Sequence, residues 1–232
     1  MTTSRAALHG LRPSAPAAPP ASSDVAVAIL STGDRERLQR RARMLAWGGS
    51  TWHLVEFAIA VGAGIAAGSI ALVGFGADSL IEALAASVIV WLFTGARLHA
   101  EGAERRAQQL VAAGDFVLAA YVTVVSIRDL AGGQHPGVSW IGIGLAAFTA
   151  PTMPLLARVK RDVGRQLGSA ATVSEAGQNM ICAYLSIALL AGLMLNAVAG
   201  WWWADPAAAL VIATIALNEG REAWSGESCE CC

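Results

Sequence analysis

Asp78 and Glu82 stand four residues apart in "GFGADSLIEALAAS", residues 74–87, inside an otherwise apolar stretch. On a helix, that spacing places two carboxylates on one face, one turn apart. A carboxylate at the centre of a bilayer costs about 2.5–3.5 kcal/mol on insertion scales, so ionisable groups kept there usually mark an ion or proton path. Cys182 and Gln178 have the same four-residue spacing in a second apolar block, with Glu175 three residues before Gln178. If the two blocks pack together, acidic groups, an amide oxygen and a thiol converge. Carboxylate and thiolate bind divalent transition metals, and sulfur favours softer ions such as zinc or cadmium. The competing reading is structural, with polar groups hydrogen-bonding between helices.

Other polar residues in apolar segments are His53 and Glu56, three apart, which could pair or line an entry path, and Asp115, which could cap or snorkel. The C-terminal "ESCECC" adds Cys229, Cys231 and Cys232 beside Glu227 and Glu230. In a reducing compartment such thiols stay free and capture soft metals. Lipidation is the alternative, although "CECC" is no prenylation box.

The elements that must carry these groups are membrane helices. Of 232 residues, 55% are hydrophobic and 14% charged, against about one quarter charged in soluble domains. A span needs about 20 mostly apolar residues, and six segments qualify: 47–67, 70–93, 108–130, 138–157, 170–199 and 205–224. Asp205 and Pro206 suit the cap and first turn of the sixth, and "WWW" at 201–203 suits an interfacial belt. The expected fold is therefore an all-α integral membrane protein with six transmembrane helices.

Lys and Arg set its orientation. Arg35, Arg37, Arg40, Arg41 and Arg43 precede the first segment, Arg97, Arg105 and Arg106 follow the second, and Arg158, Lys160, Arg161 and Arg165 follow the fourth. The opposite side holds Arg128 alone, so both termini are expected to be cytoplasmic. Residues 1–34, rich in Ala and Pro, read as a disordered tail with no signal peptide. Residues 35–224 form the transmembrane domain and 225–232 a Cys-rich cytoplasmic tail.

Residues 64–83, "GIAAGSIALVGFGADSLIEA", align with 164–183, "GRQLGSAATVSEAGQNMICA". The alignment sets Asp78 opposite Gln178 and Glu82 opposite Cys182. Either it reflects two inverted three-helix halves, a common transporter plan, or it is chance matching among small residues.

The stretch from Trp47 to Trp224 resembles the transmembrane part of the cation diffusion facilitator (cation efflux) family. "GSIALVGFGADSLIE" is similar to that family's second helix, with its Asp-x-x-x-Asp pair at Asp78 and Glu82. "ADPAAALVIA" resembles the start of its sixth helix, and Glu56 falls where its first helix often carries an acid. Glu175, Gln178 and Cys182 match the acidic, His and Asp positions of its fifth helix, with Gln for His and Cys for Asp. The family's cytoplasmic metal-binding domain has no counterpart here. The resemblance implies a divalent-metal site at Asp78, Glu82, Gln178, Cys182 and Glu175, with Glu56 near it, and a homodimer; His53 is placed on the pathway by its spacing from Glu56.

The expected function is proton-coupled efflux of a divalent transition metal across the plasma or inner membrane. The carboxylates would give up protons as metal binds and regain them as it leaves. The alternative is a membrane metal sensor or interaction protein that transports nothing. No permanently bound cofactor and no nucleic-acid partner are expected, the metal being substrate. An enzyme is not expected, since neither His-Glu-x-x-His nor Gly-x-Ser-x-Gly occurs.

Overall fold

Six helices and no strand make up the described residues, 32–93 and 101–225, of the computed structural model. They are α1 (Thr32–Ala67), α2 (Ile70–Phe93), α3 (Glu101–Gly132), α4 (Trp140–Leu167), α5 (Ala170–Ala199) and α6 (Ala204–Ser225). Four of them, α1, α3, α4 and α5, are long and apolar enough to cross a membrane. Large apolar side chains such as Val117, Val124, Trp140, Leu155 and Val198 point outward, as lipid-facing surfaces require.

Helices outrun the apolar segments at the basic ends. Residues 32–34, expected in the tail, already belong to α1, and α4 continues through the basic stretch from Arg158 to Leu167. Charged residues are good helix formers, so a span extends past the hydrocarbon boundary until a residue stops it. In α4 the stop is Gly168, whose φ of 64° is the left-handed conformation that glycine adopts without penalty. Residues 1–31 of the N-terminal tail, Arg97 and the Cys229, Cys231 and Cys232 tail lie outside the described residues.

The aligned segments fold alike. Ser69 N donates to Gly64 O at 2.9 Å, and Ser169 N donates to Gly164 O at 2.9 Å. Gly68 and Gly168 share a left-handed φ, 66° and 64°. Ser69 Oγ accepts from Leu72 N, and Ser169 Oγ accepts from Thr172 N. A Cβ at Gly64 would lie 2.8 Å from Val73 Cγ2, and one at Gly164 2.9 Å from Val173 Cγ2. Each turn therefore packs two antiparallel helices so closely that glycine is required at the contact.

These turns join α1 to α2 and α4 to α5, and each hairpin packs along its length. α3 packs along α6, and α2 meets α3 as α5 meets α6. The turns lie at opposite ends of the bundle: Gly137 N donates to Ala67 O beside the first, and Asn196 Nδ2 donates to Pro136 O at that same end. Matched hairpins pointing opposite ways are the local signature of inverted repeats.

One cap differs from expectation. Asp205 lies within the first turn of α6 and spends its carboxylate on α2, accepting from Ser69 Oγ and from Ala71 N at 3.4 Å. It ties the two helix starts together instead of capping its own helix.

Candidate metal centre

The interior of the α1–α2 and α4–α5 hairpins is polar in its middle. On α1, His53 and Glu56 turn inward on adjacent turns, and both are buried. On α2, Ser79 and Glu82 share that inward face. Cys182 of α5 is fully buried against them. A donor atom from each of His53, Glu82 and Cys182 lies within 4.8 Å of the other two.

The spacings suit an ion. His53 Nδ1 is 3.1 Å from Glu82 Oε2 and 3.4 Å from Glu56 Oε2, while Cys182 Sγ is 3.8 Å from Glu56 Oε2. A tetrahedral zinc with bonds of about 2.0–2.3 Å sets its ligands roughly 3.3–3.8 Å apart. His53 Nδ1 and both Glu82 oxygens are buried and make no hydrogen bond, because the imidazole and carboxylate approach without donor–acceptor alignment. Buried polar atoms normally find partners, and a cation between them would satisfy all three.

Glu56 is held differently. Thr149 Oγ1 donates to Oε1 at 2.6 Å and Ser79 Oγ to Oε2 at 3.1 Å, so α4 and α2 fix its carboxylate from two sides. Such outer hydrogen bonds orient a ligand or a near-ligand. On α5, Ser186 Oγ donates to Cys182 O.

The five positions read from the sequence find different partners. Glu82 and Cys182 meet, and His53 joins them from α1. Gln178 Oε1 is buried without a hydrogen-bond partner. Asp78 is buried but lies on the edge of α2 that faces α3 and α6: Gly74, one turn before it, approaches Val122 and Ile212. Asp78 falls within electrostatic reach of Asp115, Glu56 and Glu219, and of Glu82 and Cys182 as well. Four residues along a helix turn about 40° past a full circle, so the two carboxylates leave α2 at slightly different angles while remaining within electrostatic reach of each other.

Glu175 is engaged elsewhere, with Lys160 Nζ 3.2 Å from its Oε2. Lys160 reads from the sequence as one of the basic residues of a connecting segment, but it is buried in the bundle. Its signal is periodicity. Met153, Ala157, Lys160 and Gly164 follow a 4-3-4 spacing and form the buried stripe of α4. Thr149 belongs to the same stripe, four residues before Met153, and so was legible by the same rule.

At the level of whole sequences, the chain matches no protein-family model and no curated protein.

Proposed function

We propose that the protein is a multi-pass membrane transporter of a divalent transition metal, and that His53, Glu82 and Cys182 hold the ion in transit. The observation that supports this most is the group of buried donors without a hydrogen bond, His53 Nδ1 and Glu82 Oε1/Oε2, beside a buried thiol, in the middle of a helix bundle with a lipid-facing exterior. One nitrogen, one carboxylate and one sulfur favour zinc or cadmium over magnesium or calcium. Asp78, Gln178 and Glu56 flank the site, and exchange of metal for protons at these carboxylates keeps the interior charge balanced.

In this reading α2 and α6 also cross the membrane. The 24 residues of α2 would reach about 36 Å, and α2 packs on α1, α3, α5 and α6. A helix lined up along a spanning partner shares its depth, as α6 does with α3. Both termini then face the cytoplasm, and the direction is efflux through the plasma or inner membrane, as in the cation diffusion facilitators that the sequence resembles. The inverted hairpins supply a symmetric frame for alternating access.

The test is ion flux into proteoliposomes under an imposed pH gradient, metal by metal. Zinc or cadmium uptake that disappears in Glu82→Gln and His53→Gln supports the reading. Stoichiometric binding by the purified protein with no flux for any ion would replace it with a metal-sensing role.

A further inference from the structure

We propose that Lys160 is a plug that closes one end of the bundle above the metal centre, and that the Gly49 notch on α1 is its seat. The inference rests on the reading of His53, Glu82 and Cys182 as the ion site, but its test does not use transport. Lys160 belongs to α4, and its ammonium is held by α5, through Glu175 Oε2 at 3.2 Å and Asn179 Oδ1 at 3.2 Å. It also reaches the other hairpin: a Cβ at Gly49 would lie 3.0 Å from Lys160 Nζ. A methyl there would press on the ammonium, and glycine leaves it room.

The layer lies on the way to the site. Gly49 precedes His53 by one turn of α1, about 6 Å along the axis. Glu175 and Asn179 precede Cys182 on α5, toward the Gly168–Ser169 turn. A cation entering from that end meets a fixed positive charge before it meets Glu82, which is within electrostatic reach of Lys160. In a low-dielectric interior that repulsion is poorly screened. Asn179 Nδ2 donates to Met153 Sδ at 3.3 Å, which fixes the amide that holds Lys160. Buried charges persist where they are paired and hydrogen-bonded, and here the direct contacts are on the α4–α5 hairpin, with Glu82 of α2 attracting the ammonium only through space. The contact with α1 is by shape alone. Movement of one hairpin against the other therefore unseats the plug without breaking its ion pair.

Cys182 is the built-in reporter. With Cys229, Cys231 and Cys232 replaced by Ser, it is the chain's only thiol, and its modification can be timed in nanodiscs, where both faces are open. Lys160→Met, and separately Glu175→Gln, should speed its reaction with a neutral methanethiosulfonate by about tenfold or more, since local opening controls such access. Lys160→Arg, which keeps the charge, should change the rate less. Should Lys160→Met not fold, Glu175→Gln decides alone. Unchanged rates in the folded variants would overturn the proposal. So would an equal acceleration in Asn196→Ala, which loosens the opposite end at Pro136, because that would show general softening.

Discussion

Glu82 and Cys182 occupy equivalent positions 100 residues apart in the sequence alignment, and their side chains meet in the same buried group inside the bundle. The meeting has a geometric cause. Matched hairpins that run in opposite directions set equivalent mid-helix positions at similar depth, where they can meet.

This contact should be trapped directly. Glu82→Cys, with the three tail cysteines changed to Ser, should form a cadmium bridge or a disulfide with Cys182. Cleavage in the 133–139 connection followed by non-reducing electrophoresis would show the halves still joined. Two cysteines that each label readily but never join would separate α2 from α5 at this level.

The donor set makes a claim about ion softness. Cys182→Ser should weaken cadmium binding at least about tenfold while changing manganese binding little, because only the thiolate is soft. Isothermal titration of the purified protein reads both. Equal losses for the two ions would place Cys182 outside the coordination sphere.

The two carboxylates of α2 should differ. Glu82→Gln removes a direct donor and should cost about 10–100-fold in metal affinity, the range seen even for groups that only support a ligand. Asp78→Asn acts from the α3–α6 side and should cost markedly less affinity, yet should still slow flux. Equal losses of affinity would put both carboxylates on the ion.

The matched turns predict paired stability effects. Gly64→Ala and Gly164→Ala should each destabilise by about 1–3 kcal/mol, since the added methyl has no room beside Val73 or Val173. Gly62→Ala and Gly177→Ala, with open space at the same atom, should be neutral or stabilising by up to about 1 kcal/mol. Thermal unfolding in detergent distinguishes them. A neutral Gly64→Ala would show that the turn relaxes freely.

Orientation is open to labelling. With all native cysteines removed, His135→Cys should react with an impermeant maleimide from outside intact cells. Asp162→Cys, exposed near the end of α4, should react only after the membrane is opened. The reverse pattern would invert the topology and make the proposed direction uptake.

Much of the frame was legible in the residues. Apolar run length located the six helices, because covering backbone polar groups in lipid leaves few other structures. The sequence alignment of 64–83 with 164–183 left repeat and chance matching open, and the structure gives both segments the same turn, because left-handed glycine and a serine cap are local chemistry. His53 and Glu56 pair as their three-residue spacing suggested.

The make-up of the site was decided in three dimensions. A helix angle of about 40° per four residues is too coarse, read from sequence, to say which of two carboxylates faces which neighbour. Glu82 meets His53 and Cys182, while Asp78 also has Asp115 of α3 and Glu219 of α6 within electrostatic reach. Lys160 looked like a charge in a connecting segment until α4 continued through it and its stripe turned inward. Glu175 then took Lys160 as its partner, and Asp205 took the start of α2. Residue type and spacing determine which groups can bind, but their partners come from distant helices, and only the crossing of those helices decides which meet.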